Sequence, residues 1–330
     1  MKVHLLNVLG PLDPMELDVL FGLLAPSVEV STGAELPNPA DFNILVAGYP
    51  TREHLIASPN LQAVIIPFAG PPESTRELLA DFPHVAVHNL HHNTAPTAEM
   101  AVALLLAAAR FIVPADQRLR HGDWTLRHEP APIMILHGKT ALILGYGAVG
   151  QHVGRVCQAL GMRLLAIRRN PSTAGPADTA AEVYGPEHLH ELLPQADALI
   201  ITLPLTAETR GLVGAEELAL LPDGAVLVNV GRGPVVDEAA LYHGLIAGKP
   251  AAAGLDVWYT YPETADERTH TPPSRLPFHE LDNVVMSPHS GGAFGTAYTE
   301  HERMVHLAAL LNAAAAGQPM PNRIDLAAGY

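Results

Sequence analysis

Cysteine is nearly absent from this chain, since Cys157 is the only one among 330 residues. An intramolecular disulfide is therefore excluded, which favours a reducing compartment, and we expect a cytoplasmic protein. Long apolar runs are also missing. The longest, 101–109, is stopped by Arg110 and is far shorter than the roughly 20 residues that a membrane span needs. The N-terminal apolar run is too short for a secretory signal.

Basic side chains are scarce, with 19 Lys and Arg against 34 Asp and Glu, for a formal charge of −15. Such a surface repels phosphate backbones and anionic lipids, so we expect neither nucleic acid nor a membrane as a partner. The apolar fraction of 48% is ample for buried cores and excludes a disordered or fibrous class. The length predicts two domains.

Short apolar runs alternate with helical patterns along most of the chain. The predicted strands of the first ninety residues are 3–9, 28–31, 44–47, 63–66 and 85–89, with helices at 14–24 and 73–80. After a long apolar helix at 96–112 and a polar connecting arm at 116–137, six strands are predicted at 140–144, 163–167, 198–202, 225–229, 252–256 and 284–287. This alternation predicts two doubly wound parallel sheets with helices on their faces. A last helix, 298–316, returns the chain to the first domain.

The strongest local signal is an apolar strand that runs into Gly145-x-Gly147-x-x-Gly150 and then into a helix. In a dinucleotide site the first glycine makes the tight turn, the second lets the backbone approach a pyrophosphate, and the third lets helix and strand pack closely. The helix N-terminus, with Ala148 and Val149, then offers N–H groups to the phosphates. The alternative is a glycine-rich turn without a ligand.

The end of the next strand predicts which cofactor binds. NAD sites usually have an acidic residue there for the ribose 2′-OH, whereas this sequence has Arg168 and Arg169. Guanidinium groups suit a 2′-phosphate through bidentate, charge-assisted bonds. We therefore expect NADP in preference to NAD, with NAD possible if both arginines are merely solvated.

Several ordered motifs, taken together, resemble one family. They are AE at 98–99, the glycine turn, LPLTAETRG at 203–211, NVGRGPVVDE at 229–238, GLDVW at 254–258 and SPHSGG at 287–292. The chain resembles the D-isomer-specific 2-hydroxyacid dehydrogenases, which include glyoxylate and hydroxypyruvate reductases. The resemblance implies a Rossmann nucleotide-binding domain (97–294) inserted into a split, flavodoxin-like substrate domain (1–96 and 295–330). It also implies a homodimer and a small 2-keto or 2-hydroxy acid as substrate.

Two residues carry the chemistry that the resemblance implies. Arg232 follows a predicted strand, where its guanidinium can pair with a keto-acid carboxylate and polarise the adjacent carbonyl; a structural pairing with Asp237 or Glu238 is the alternative. His289 follows the last predicted strand, where it would donate a proton to the developing alkoxide or accept one in the reverse direction.

The third catalytic position departs from the family. The resemblance places a glutamate five residues after Asp256, where it raises the pKa of the histidine, but this sequence has Tyr261. A tyrosine brings no negative charge at pH 7. Three explanations stay open: the histidine works unassisted, Glu263 enters through a local shift, or the chemistry is altered.

The remaining site residues are implied by the same resemblance. The cofactor contacts are Pro204, Thr209, Val230, Asp256 and Gly291, with Asp256 on the nicotinamide carboxamide. Backbone N–H groups of Ala69 and Gly70 are expected to meet the substrate carboxylate.

A histidine cluster and the single cysteine are interpreted as structural residues rather than as a metal site and a nucleophile. His88, His91 and His92 resemble a metal cluster but lack companion acids or cysteines, so no metal is expected. Cys157 falls inside the helix after the glycine turn, where a buried packing residue is favoured over a nucleophile.

The predicted function is an NAD(P)-dependent oxidoreductase, preferring NADP(H), that transfers hydride between nicotinamide and a small 2-hydroxy or 2-keto acid. Two alternatives remain open at this point. One is a dinucleotide-sensing scaffold without turnover, similar to a corepressor. The other is a formate- or phosphite-type dehydrogenase, whose donor has no hydroxyl proton to remove.

Overall fold

The computed structural model describes residues 1–6, 14–130, 132–171 and 181–326. They form two compact units, the first from Met1–Asn93 with Ala293–Tyr330 and the second from Thr94–Gly292. Each unit is built on a sheet whose named strands are all parallel, with five strands in the first and seven in the second. This confirms the predicted fold class.

The first unit has the strand order β2-β1-β3-β4-β5. Its strands are β1 (Lys2–Leu6), β2 (Glu29–Gly33), β3 (Ile44–Val46), β4 (Ala63–Ile66) and β5 (Ala86–Asn89). Its first three helices are α1 (Pro14–Leu23), α2 (Arg52–Ile56) and α3 (Glu73–Ala80), and the C-terminal part adds a long helix, Ala297–Ala315. The predicted strand 3–9 ends at Leu6, and its last three residues lie outside the described part of the chain.

Two apolar cores cover the two faces of this sheet, because successive strand side chains point to opposite sides. One core joins Ile44, Val46 and Ile65 to α1 and to the C-terminal helix. The other joins Leu45 and Val64 to the helices on the opposite face.

The second unit has the strand order β12-β11-β10-β9-β6-β7-β8. Its helices are α4 (Thr94–Ala109), α5 (Ile112–Arg120), α6 (Thr125–His128), α7 (Ala148–Ala159), α8 (Leu189–Leu192), α9 (Ala215–Leu220) and α10 (Glu238–Ala247), so the C-terminal helix of the first unit is α11. Its strands are β6 (Thr140–Leu144), β7 (Arg163–Ile167), β8 (Glu182–Tyr184), β9 (Ala198–Ile201), β10 (Val226–Asn229), β11 (Ala252–Leu255) and β12 (Val284–Met286). Short 3₁₀ turns lie at Pro186–His188, Leu193–Gln195, Gly233–Val235, Asp266–Thr269 and Phe278–Glu280. The order reverses between β6 and β9, which is the switch point where doubly wound sheets bind ligands beyond the carboxyl ends of their strands.

The structure departs from three sequence predictions for this unit. The sheet has seven strands rather than six, because the three-residue β8 pairs with β7 at its edge. The polar arm is also partly helical, since α5 extends into it and α6 lies within it. The predicted long helix ends earlier, at Ala109, and Phe111 then adopts a left-handed backbone (φ 54°) that breaks the helix before α5.

Within the described residues, no single helix combines the length and hydropathy of a membrane span. α4 and α5 meet that test only as a pair, and they are bent by 64° relative to each other.

Candidate active site

The glycine turn joins β6 to α7 with the geometry that its three glycines require. Gly145 has a φ of +97°, and a Cβ there would lie 3.0 Å from the Thr202 hydroxyl. A Cβ on Gly150 would overlap the Gly145 carbonyl oxygen, whereas one on Gly147 would meet no described atom within 4 Å. Gly147 is also the N-cap of α7, with no side-chain hydrogen bond. The turn is therefore tightly packed except where a ligand would approach the first N–H groups of α7, including those of Ala148 and Val149.

The two arginines follow β7 directly. The Arg168 backbone N–H donates to the Tyr184 carbonyl of β8 at 2.9 Å, so the missed strand fixes the position of this residue. Arg169 is more exposed, and its Nη2 lies 3.1 Å from Glu208 Oε2. Both arginines thus follow the carboxyl end of β7, which pairs with β6, the strand that leads into the glycine turn.

The loop after β9 holds Pro204 and Thr209. The Thr209 hydroxyl donates to the Pro204 carbonyl at 2.7 Å and accepts the Thr206 backbone N–H at 2.8 Å. The predicted contact of Thr209 with the cofactor stays a prediction, and the structure adds that this hydroxyl closes the loop on itself.

Arg232 lies between two glycines for a steric reason. A Cβ on Gly231 would overlap the Leu203 carbonyl, and one on Gly233 would overlap the Trp258 carbonyl. The Arg232 Nη1 donates to the Gly231 carbonyl at 2.7 Å. The turn follows β10 and begins with the buried Val230. It fits between its neighbours only because the residues on either side of the arginine have no side chain.

Asn229 organises the same turn and was missed by the sequence reasoning. Its side chain is buried, accepts the Gly231 N–H at 3.0 Å and donates to the Arg232 carbonyl at 3.0 Å. Asparagine favours such local bonds to the backbone. Its place at a strand end, two residues before a glycine, is the signal that could have found it.

Asp256 lies at the end of β11, is 1% exposed, and holds the segment that carries His289. Its Oδ1 accepts the Ser287 hydroxyl at 2.7 Å and the Ser290 N–H at 2.9 Å, while Oδ2 accepts the Gly291 N–H at 2.9 Å. A Cβ on Gly291 would lie 2.6 Å from Oδ2, so glycine is needed there. The predicted nicotinamide contact of Asp256 stays a prediction, and the structure gives the carboxylate a positioning role.

Trp258 adds a further support that the sequence reasoning missed. Its indole Nε1 donates to the Ser287 carbonyl at 2.7 Å, and the side chain is buried. The indole therefore joins β11 to the last strand's end, next to the histidine segment.

His289 adopts a left-handed backbone, with a φ of 58°. Partial desolvation lowers the pKa of its imidazole below the ordinary 6.5, and the nearby Arg232 charge lowers it further, while Asp256 opposes the change. The imidazole, the guanidinium and the Asp256 carboxylate thus share one electrostatic environment at the carboxyl edge of β10, β11 and β12.

Tyr261 lies beside this histidine, with 5.5 Å between ring centroids and 57° between ring planes. Its hydroxyl accepts the Trp258 backbone N–H at 2.9 Å, and burial raises the pKa of the phenol above its ordinary 10. The tyrosine therefore contacts the imidazole with its ring and brings no negative charge. Glu263 is exposed, and its backbone N–H donates to Glu267 Oε2 at 2.8 Å; the entry of Glu263 through a local shift stays an open explanation.

The substrate-loop residues Ala69 and Gly70 lie in the first unit, in the bend that follows β4, and both are half-buried. Their predicted contact with a carboxylate stays a prediction.

The first unit also holds three histidines close together in sequence: His88 lies in β5, and His91 and His92 follow that strand. His88 bonds through Nδ1 to the Pro321 carbonyl at 2.8 Å, and burial lowers the pKa of His92 to about 3.

Across the part of the chain that the structure describes, no group of three or more His, Cys, Asp or Glu side chains is arranged to hold a metal ion. Cys157 is fully buried against the second unit's sheet, and burial raises the pKa of its thiol to about 12, which keeps it protonated at neutral pH.

A nicotinamide dinucleotide fits the residues of the second unit. The open space beside Gly147 and the N-terminus of α7 suit a pyrophosphate, and Arg168 and Arg169 stand one strand away. Beyond the switch point, the sheet edge presents a cation in Arg232 and a titratable group in His289. Such a set can bind a carboxylate, polarise a carbonyl and move one proton.

Comparisons with known proteins agree with this arrangement. A model of the D-isomer specific 2-hydroxyacid dehydrogenase NAD binding domain matches residues 102–291. A glyoxylate reductase of Aeropyrum pernix is 39% identical over 237 residues, which are 70% of this chain and 67% of that protein. A D-3-phosphoglycerate dehydrogenase of Archaeoglobus fulgidus is 39% identical over 197 residues, which are 60% of this chain but 35% of that longer protein.

Among solved structures, a D-isomer specific 2-hydroxyacid dehydrogenase from Xanthobacter autotrophicus Py2, in complex with NADPH and MES, has a TM-score of 0.80. It is 26% identical, and the match covers 100% of this chain and 99% of that one. The chain therefore belongs to the D-isomer specific 2-hydroxyacid dehydrogenase family and is an NAD(P)-dependent oxidoreductase that acts on CH–OH groups.

Proposed function

We propose that this dehydrogenase uses NADP(H) in preference to NAD(H) and interconverts a small 2-keto acid with its 2-hydroxy acid. The observation that carries the proposal is the joint placement of Arg232 and His289 at one sheet edge, beyond the switch point of a unit with an open dinucleotide turn. The glyoxylate reductases among the relatives support a small 2-keto acid as substrate.

The mechanism follows from the chemistry of these side chains. The nicotinamide, when bound, supplies or accepts the hydride. Arg232 binds the substrate carboxylate and draws electron density from the carbonyl oxygen. In reduction His289 donates a proton from its imidazolium to the oxygen that becomes the hydroxyl, and in oxidation the neutral imidazole accepts that proton. Asp256 and Trp258 keep the histidine segment in place.

The preference for NADP(H) rests on Arg168 and Arg169 at the end of β7, and on the NADPH bound in the similar Xanthobacter structure. Arg168→Asp should lower the ratio of kcat/KM for NADPH to that for NADH by about tenfold or more, because a charge-assisted bond to phosphate is replaced by repulsion. Arg268→Asp makes the same charge change at an exposed position and should leave the ratio unchanged. A wild-type enzyme that prefers NADH would overturn the assignment.

A second candidate function has one observation in its favour. No carboxylate accompanies His289 in the position of Tyr261, and oxidation of a formate- or phosphite-type donor has no hydroxyl proton to remove. Assays with formate and phosphite beside glyoxylate and hydroxypyruvate separate the two. Turnover of only the first pair would replace the keto-acid proposal.

We also infer a cytoplasmic homodimer assembled through the second unit. Exposed apolar side chains are concentrated on α4, α5, α7 and the segment after α5; they are Leu106, Ile112, Leu119, Trp124, Ile133, Ile135 and Val156. Such surfaces commonly mark protein interfaces. In light scattering after gel filtration, Trp124→Glu should shift the wild-type dimer toward a monomer, whereas Met15→Glu, at a still more exposed position of the first unit, should not. A monomeric wild type at micromolar concentration would contradict the inference.

A further inference from the structure

Asn89 ends β5 and connects it to the loop that follows β4. The residue is 7% exposed, and its Nδ2 donates to the Ala69 carbonyl at 2.5 Å. The carbonyl of Ala69 and the N–H of Gly70 belong to one planar trans peptide and point in opposite directions. Holding the carbonyl toward Asn89 therefore turns the Gly70 N–H away from Asn89.

Asn89 is itself held by a segment from the far end of the chain. Its backbone N–H donates to the Asn322 carbonyl at 3.2 Å, and the Asn322 Nδ2 donates to the Asn89 carbonyl at 3.2 Å. Asn322 has a left-handed backbone with a φ of 56°, which asparagine tolerates better than most residues.

The same segment is secured on either side of Asn322. The Pro321 carbonyl bonds to His88 Nδ1 at 2.8 Å, and the Ile324 N–H donates to the Val87 carbonyl at 2.8 Å. Ile324 is buried in the core that also contains Val87. The segment 321–324 thus lies along the edge of β5 with one side chain in the core.

We propose that Asn89 is a positioning residue for substrate binding: its side chain sets the peptide plane between Ala69 and Gly70 so that the Gly70 N–H faces the substrate carboxylate, and segment 321–324 keeps Asn89 in place. The proposal rests on the proposed function, because it takes the Ala69–Gly70 loop as the subsite for that carboxylate. An oriented N–H contributes only when its direction is fixed before binding, since a mobile peptide must first be ordered.

The test replaces the amide without changing its size. Asn89→Asp removes the donor and places a carboxylate against the Ala69 carbonyl. We expect KM for the 2-keto acid to rise at least tenfold, while kcat and KM for NADPH change less than twofold. Asn60→Asp makes the same charge change at an exposed position of the same unit and should change neither KM. Asn322→Asp should raise KM for the keto acid to a smaller extent.

Hydrogen exchange of the peptide covering residues 67–72 shows whether each variant releases the loop. An unchanged KM for the 2-keto acid would overturn the positioning role, whether hydrogen exchange in the loop becomes faster or stays the same. If Asn89→Asp does not fold, Asn322→Asp is compared with the wild type instead, by KM for the 2-keto acid and by hydrogen exchange of residues 67–72. A wild type that reduces no 2-keto acid overturns the proposed function as well, whereas a wild type with normal turnover beside an unaffected Asn89→Asp overturns only this inference.

Discussion

His289 combines backbone strain with a lowered pKa. A left-handed φ costs a residue with a Cβ about 1–2 kcal/mol, and the strain persists only where the surroundings enforce it. The enforcing group is Asp256, whose three hydrogen bonds hold residues 287–291. Strain of this kind accumulates at functional sites, which agrees with the proton-transfer role proposed for the imidazole.

Replacing Tyr261 with glutamate should change the pH dependence of turnover. Reduction needs the imidazolium, so kcat/KM for the keto acid should fall as pH rises through a pKa below 6.5. A carboxylate beside the ring favours the charged form, so Tyr261→Glu should move this limb to higher pH by about one unit or more. The measurement is the pH profile of kcat/KM with saturating NADPH.

Tyr261→Gln is the matched control, because it removes the ring without adding charge. It should leave the limb close to its wild-type position. A limb that stays in place in Tyr261→Glu as well would mean that the observed titration belongs to a group other than His289.

The two residues proposed to carry the chemistry could be named from the sequence, but the residues that hold them in place could not. Arg232 and His289 stand in motifs. Trp258, by contrast, reaches Ser287 across 29 positions of the chain, and no local pattern encodes such a bond. The motif count singles out Tyr261, but its ring contact with the imidazole depends on the path of the loop after β11.

At the scale of elements, two glycines of the β6–α7 turn have different roles, since Gly150 is needed for packing and Gly147 for the approach of the ligand. Gly150→Ala should destabilise the protein, because its methyl group would overlap the Gly145 carbonyl. Gly147→Ala should leave thermal stability nearly unchanged, since its methyl group meets no described atom within 4 Å, but should weaken NADPH binding by about tenfold or more by occupying the approach of the pyrophosphate. Differential scanning fluorimetry with and without NADPH measures both effects.

If instead Gly147→Ala lowers the melting temperature and leaves NADPH binding intact, the space beside Gly147 is not where the pyrophosphate binds. Gly22→Ala, also in open space but on α1 of the other unit, should neither lower the melting temperature nor weaken NADPH binding and serves as the control.

Element boundaries followed the sequence where the pattern was buried and strong. The strands β4, β6 and β7 lie where the apolar runs predict them. The edge strand β8 was missed because it has three residues, none of them fully buried, so tertiary pairing rather than composition makes it a strand. The helix α5 was missed because polar residues dominate its second half.

At the scale of the whole molecule, buried neutral histidines make the first unit sensitive to acid. Burial lowers the pKa values of His4, His88, His91 and His92, all within that unit. Below pH 6.5 the unfolded chain binds more protons at these sites than the folded unit, so stability is present above that pH and is lost as pH falls. For His92, whose folded pKa is about 3, the loss between pH 7 and pH 5 is roughly 2 kcal/mol.

Native-state hydrogen exchange at pH 7 and pH 5, corrected for intrinsic rates, should therefore show a larger loss of protection in β1–β5 than in β6–β12. His92→Asn should reduce that loss, while His84→Asn, an exposed residue of the same unit, should not. Equal losses in both sheets would assign acid sensitivity to another source.

The solitary, fully buried thiol of Cys157 has a practical consequence for spectroscopy. The protonated thiol is buried beneath α7 and reacts slowly with maleimides. Cysteines introduced one at a time on the surface can therefore be labelled selectively without first removing Cys157. Fluorophores or spin probes attached in this way could report how each unit responds when cofactor and substrate bind.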